Sequence, residues 1–206
     1  MDDAFIVAVS TGIFVLITVI AIAVSFSQRL QTAQDWEQFA SRTGLTLTRG
    51  GMFNSHHVNG EVRHRQADLT TYEVRAGRSS ITYTRFSVSA ANPSGAKLTL
   101  EPAGFLSKLG ESMGMKDEKI GSDDFDSRFN IHCTPPEYAS MLLGGDPMIQ
   151  GSISQIYDKA FKLTLAGGSL MFTRRGVERD VLALERILNT LCDIAEKIDG
   201  SKRSSF

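Results

Sequence analysis

An antiparallel α+β domain carried behind a single N-terminal transmembrane helix is the fold this sequence predicts, and three observations predict it. An apolar run fills about the first 28 residues, the middle of the chain alternates with period two between glycine-rich turns, and an apolar stripe at helical spacing closes the chain. Of the 206 residues, 42% are hydrophobic and 22% charged, which suits one domain with a true core. The formal charge is −1; without Asp2 and Asp3, which precede the apolar run, 22 basic residues face 21 acidic ones. That balance gives no reason to expect nucleic acid as a partner. Cys133 and Cys192 are too few for a multi-bridge framework, and neither sits in a CxxC pair.

Residues 4–27 contain no charge, and residues 4–24 as a helix span about 32 Å against a hydrocarbon core of about 30 Å. Ser10, Thr11, Thr18 and Ser25 are able to return their hydroxyls to helix carbonyls. A cleaved signal peptide wants a basic start and a small-residue cleavage site, whereas this chain starts Met-Asp-Asp. The expectation is a transmembrane anchor over residues 1–28, with the lipid bilayer as a partner. Arg29, Arg42 and Arg49 follow the run and no basic residue precedes it, which places the C-terminal part on the cytoplasmic side of a single-pass topology. Phe26, Leu30, Trp36 and Phe39 extend the helix as a juxtamembrane segment over residues 29–43, with Trp36 a packing or interface residue.

Residues 44–199 form the expected soluble domain and residues 200–206 a polar tail. Leu45-Thr46-Leu47-Thr48-Arg49 reads as a short strand stopped by Gly50-Gly51, and residues 57–63 as a second strand interrupted at Asn59-Gly60. In residues 69–75, Thr70, Tyr72 and Val74 take one face, with Thr71, Glu73 and Arg75 on the other. Residues 79–90 alternate likewise, and Ala76-Gly77-Arg78 between the two is short enough for a hairpin. Residues 97–100 add a strand, residues 105–109 a short helix, and Phe125, Phe129, Ile131 and Cys133 face inward along a strand beginning at Phe125.

Thr134-Pro135-Pro136-Glu137 reads as a capping box opening a short helix that ends at Gly144-Gly145. Asp146-Pro147 opens another helix, with Ile149, Ile153, Ile156 and Tyr157 at helical spacing. Residues 161–165 and 170–174 flank Ala166-Gly167-Gly168-Ser169, a hairpin. Val177, Val181, Leu184, Leu188, Leu191, Ile194 and Ile198 then mark one face of a helix over about residues 175–198, which needs a sheet to cover. Strands and helices segregated in this way predict a two-layer antiparallel-sheet domain with a long C-terminal helix; a small barrel closed by that helix is the alternative.

No cluster carries chemistry by spacing alone. His56 and His57 point apart on an extended backbone, His64 lies beyond a turn, and His132 and Cys133 alternate faces, so no metal site is expected. Asp123, Asp124 and Asp126, with Asp117 and Glu118, form an acidic loop without the spaced ligands of a calcium loop, and Asp126 is expected to pair with Arg128. A nucleophilic cysteine wants a partner histidine or a helix N-terminus, Cys192 lies deep in its helix and Cys133 faces inward beside an apolar run, so neither is read as a nucleophile, and no glycine cluster forms a phosphate loop. Catalytic, cofactor-binding and metal residues are therefore assigned to none, and no cofactor is expected. Arg75, Arg78 and Arg85 around one hairpin, helped by Arg42 and Arg49, read either as a basic patch for anionic lipid or, equally well, as a solvated strand face.

Two segments, Asn59-Gly60-Glu61-Val62 and Gly121-Ser122-Asp123-Asp124-Phe125-Asp126-Ser127-Arg128-Phe129-Asn130-Ile131, resemble a pattern of uncharacterised prokaryotic membrane-anchored domains, in which a Gly-Asp turn precedes an FDxxF strand. The resemblance spans residues 36–198 and implies kinship without lending an activity. The whole reading favours a non-catalytic accessory or scaffolding subunit with membrane protein subunits as partners. A membrane-anchored lipid- or small-ligand-binding adaptor is the alternative, followed by a membrane-associated enzyme.

Overall fold

The computed structural model describes residues 3–51, 55–77, 79–103, 118–157 and 161–200. Helix α1 (Asp3–Thr43) leads into β1 (Thr46–Thr48), β2 (His57–Val62), β3 (Arg65–Ala76), β4 (Ser79–Ser89) and β5 (Lys97–Pro102). Then come α2 (Asp123–Arg128), β6 (Phe129–Thr134), and α3 (Glu137–Ala139), which runs on as a π-helical turn over Ser140–Gly144. Helix α4 (Pro147–Gln155), the β7–β8 hairpin (Phe161–Ala166 and Ser169–Arg175) and α5 (Val181–Gly200) complete the chain. The short helix expected at residues 105–109, Arg78 and the tail beyond Gly200 lie outside the described residues.

The eight strands of the described residues join one antiparallel sheet in the order β1-β2-β3-β4-β8-β7-β5-β6. The α+β architecture read from the sequence is therefore present as an open sheet with helices packed on it. Period-two alternation puts Val58, Leu69, Phe86, Phe172, Leu163, Leu100 and Ile131 on one buried face. Against that face lie Leu184, Ile187, Leu188, Leu191, Ile194 and Ile198 of α5, together with Trp36, Phe39 and Ala40 from the end of α1.

Among the described residues no helix is long and apolar enough to cross a membrane. This overturns the expected transmembrane anchor, the single-pass topology with a cytoplasmic domain, and the bilayer as a partner. The apolar segment forms the first part of α1. The same helix continues through Arg29, Asp35, Glu37 and Arg42 to bury Trp36 and Phe39 in the domain core.

Several local expectations are also corrected. β2 runs unbroken through Asn59-Gly60, and the turn falls at Arg63-His64, both at positive φ, between the paired Val62 and Arg65. Gly60 is there for packing, since a Cβ would meet Leu45 Cδ2 at 3.0 Å. Phe125 lies in the helical turn of α2, and the strand starts only at Phe129. Thr134 stays in the ladder opposite Lys97, so it caps nothing, and α3 begins at Glu137. The final helix starts at Val181, leaving Val177 exposed ahead of it and outside the stripe.

Other elements follow their local signals. Ala166 pairs with Ser169 across Gly167-Gly168, with Gly167 at φ +59°. Asp146 caps α4, its Oδ1 accepting from the Met148 and Ile149 N–H groups at 3.1 Å each, while its Oδ2 accepts from Lys197 Nζ at 3.0 Å.

Candidate functional site

The most elaborately built feature is the seat of α1 on the linker between β8 and α5. Thr84 on β4 is fully buried, and its hydroxyl donates to the Gly176 carbonyl at 2.7 Å and accepts from the Glu178 N–H at 2.9 Å. Gly176 N–H donates to the Thr82 carbonyl at 2.8 Å, so the linker is stitched to β4. The Glu178 carboxylate pairs with Arg174 and accepts from the Arg179 and Asp180 N–H groups at 2.9 Å each. That leaves the Glu178 carbonyl to accept the indole N–H of the fully buried Trp36 at 2.9 Å. Arg179 donates to Gln31 Oε1 at 2.9 Å, and Arg42 pairs with Glu185 at 2.6 Å.

Beyond this seat the described apolar side chains of α1 are exposed. Ile13, Phe14, Val15, Leu16, Ile17, Val19, Ile20, Val24, Phe26 and Leu30 are each between 50% and 71% exposed. At 100° per residue, the five consecutive side chains from Ile13 to Ile17 sweep the whole circumference of the helix. The exposed apolar surface is thus a sleeve around α1, larger than the scattered apolar residues of an ordinary surface.

A cleft of about 290 Å³ opens beside the seat, lined by Gln155, Tyr157, Arg174, Glu178, Asp180 and Arg186 over an apolar floor of Ile156, Ala183 and Ile187. Its carboxylates are committed to structure, Glu178 as described and Asp180 by accepting from the Leu182 and Ala183 N–H groups at 2.9 and 3.3 Å. The arrangement supplies no nucleophile with an adjacent base.

The residues singled out in sequence are dispersed. His56 accepts from the Gly50 N–H at 3.2 Å and meets Trp36 edge-on, His57 pairs with Asp68, and His64 sits fully exposed near Glu61 at 3.5 Å. Among the described residues no three His, Cys, Asp or Glu side chains converge on a point that would hold a metal ion. Asp126 clamps the preceding turn, accepting from the Ile120 and Gly121 N–H groups at 3.0 and 3.1 Å. Arg128 pairs with Asp124 at 3.4 Å, not with Asp126, because a helical turn brings i and i+4 together.

Burial pushes the Cys133 thiol up to about 11, with its Sγ donating to the Pro135 carbonyl at 3.1 Å. Burial likewise raises Cys192. Both shifts disfavour the nucleophilic thiolate. The basic patch does not assemble: Arg42 and Arg49 are taken by Glu185 and Glu37 at 2.6 Å each, and Arg75 and Arg85 lie on opposite faces of the pleat. Arg85 places its guanidinium 5.4 Å over the Tyr72 ring.

Sequence reasoning assigned Trp36 to packing or an interface but missed the seat on Glu178 that it fills. The available signal was the spacing of Ala33, Trp36 and Ala40, a buried stripe at i, i+3 and i+7 inside the segment read as juxtamembrane.

No protein-family model matches the sequence, and no curated protein matches it. Among solved structures, the chain is distantly similar to the crystal structure of the mycobacterial trehalose monomycolate transport factor A, TtfA. The two share 11% identity with a TM-score of 0.49 over 81% of this chain and 94% of that one.

Proposed function

We propose that this protein is a non-catalytic lipid-binding adaptor, in which the sheet domain mounts α1 and the apolar sleeve of α1 takes up acyl chains. The sleeve is the observation that carries the reading. A protein groove covers one stripe of a helix, whereas side chains exposed on every side call for a partner that surrounds the helix, as fluid acyl chains do. Burying one such side chain contributes about 1.5–3 kcal/mol, so several together supply ample affinity. The Trp36, Gln31 and Arg42 contacts hold the base of the helix to the domain, so that ligand capture is fixed in place relative to the sheet.

The test is binding of dansyl-labelled lysophospholipid by the full chain and by a variant carrying Ile13→Asn, Ile17→Asn and Ile20→Asn. These side chains are exposed and outside the core cluster, so the domain is expected to fold in both. Saturable binding by the parent chain, weakened at least ten-fold in the variant, is expected. Equal binding by both overturns the reading. So does a chain that binds no lipid and is isolated in a fixed ratio with another protein, which favours an accessory subunit instead.

A further inference from the structure

We infer that the β3–β4 hairpin arm is a second lipid contact, which grips the anionic headgroups of lipids neighbouring those whose acyl chains cover α1, from the sheet face opposite the one on which α1 is seated; this rests on the lipid-binding reading above. β3 and β4 pair from Ala67↔Val88 to Ala76↔Ser79, but β2 leaves β3 at Thr70 and β8 leaves β4 at Thr84. Gly176 still bridges Tyr83 and bonds Thr82, so the pairs from Val74↔Ile81 to Ala76↔Ser79 overhang the sheet by about 10 Å, with no further strand beside them among the described residues. A two-stranded ribbon is marginal in water by itself and gains from a partner that covers it.

One face of the arm is graded from tip to root. Val74, 44% exposed, pairs with Ile81 nearest the tip. Next come Tyr72 and Tyr83, stacked with ring centroids 5.5 Å apart, and behind them the exposed Arg85 over Tyr72. Aliphatic, then phenolic, then cationic is the order met on passing from acyl chain through the interfacial layer to a headgroup phosphate.

The arm also points the right way. Its root and the seat of α1 are held by one five-residue linker, through Gly176 to Thr82, Glu178 to Trp36 and Arg179 to Gln31. From Gln31 to Arg42, α1 runs alongside the stretch from Arg179 to Glu185, in the direction in which α5 and β4 both travel toward Asp199 and Ala91. Traced backwards, the apolar sleeve leaves the domain at the end from which the hairpin projects.

The experiment uses the full chain in a Cys133→Ser background, Cys192 being buried. An environment-sensitive fluorophore is attached through Ile17→Cys, Val74→Cys or, as a control at the far end of the sheet, Ala166→Cys. Each is titrated with lysophosphatidylglycerol micelles, lysophosphatidylcholine micelles, or inorganic phosphate. Blue shifts at positions 17 and 74 but not at 166, no response to inorganic phosphate, and a several-fold weaker response at position 74 to the anionic lipid on Arg85→Gln are expected. A response at position 17 without one at position 74 overturns the inference and leaves lipid binding standing. A response at 74 that is unchanged by Arg85→Gln, or that inorganic phosphate reproduces, overturns the headgroup contact. No response at position 17 overturns the reading beneath it as well.

Discussion

Replacing Trp36 tests whether the end of α1 is a structural member of the domain. The side chain is fully buried in the core with Phe39, meets His56 edge-on at 6.4 Å, and donates to the Glu178 carbonyl at 2.9 Å. Truncating a buried tryptophan to alanine costs about 3–5 kcal/mol in lost transfer energy and cavity formation. Stranding the Glu178 carbonyl adds about 1 kcal/mol, for a total of about 5 kcal/mol. Trp36→Phe keeps most of the ring and loses chiefly the hydrogen bond, about 1–2 kcal/mol. With a urea dependence of about 2 kcal/mol per molar, the midpoint falls by about 2.5 M for Trp36→Ala and by about 0.5–1 M for Trp36→Phe. Urea unfolding followed by far-UV circular dichroism is the assay, since it does not need the single tryptophan of the chain. A midpoint within about 0.3 M of the parent for Trp36→Ala would refute the reasoning and detach α1 from the core.

Leu184→Asp puts an unpaired charge where α5 meets the sheet, a fully buried position, and is expected to cost more than about 4 kcal/mol; an unchanged urea midpoint would contradict the face assignment. Asp146 is held below its ordinary 3.8, chiefly by the Ile149 N–H and then by Lys197, so its contribution is present above about pH 4 and is lost as pH falls through the depressed value. Asp146→Ala should cost about 1 kcal/mol at pH 7 and remove that part of the acid-side slope in pH-dependent unfolding; an unaltered slope would count against the cap. The Cys133 thiol, raised from 9.0 to about 11, should react with iodoacetamide at pH 8 about 100-fold more slowly than a cysteine peptide, and a peptide-like rate would show the thiol to be unburied.

What the sequence makes legible is what neighbours along the chain decide. The Ala166-Gly167-Gly168-Ser169 turn, the alternation that pairs Tyr72 with Tyr83 and Val74 with Ile81, the Asp146 cap and the Leu184-to-Ile198 stripe each depend on residues within a turn or two. The misread elements depend on distant partners. Gly60 looks like a break but makes room for Leu45, and Thr134 has a capping pattern but is held in the ladder by Lys97. The apolar N-terminal run, taken alone, reads as an independent anchor, yet its helix ends inside the domain core.

The candidate site is less legible still, because its bonds span the chain: Trp36 meets a carbonyl 142 residues away, and Thr84 holds a linker more than 90 residues on. Sequence by itself determined the α+β class, most of the strands and the apolar character of the N-terminal helix, since periodicity and turn chemistry are local. Only the tertiary structure decided which face of the sheet α1 sits on, which carboxylates are spent on backbone N–H groups, and that sleeve and hairpin arm leave the domain at the same end. Those follow from the burial of Trp36 and Thr84, whose polar groups each had to find a partner out of water.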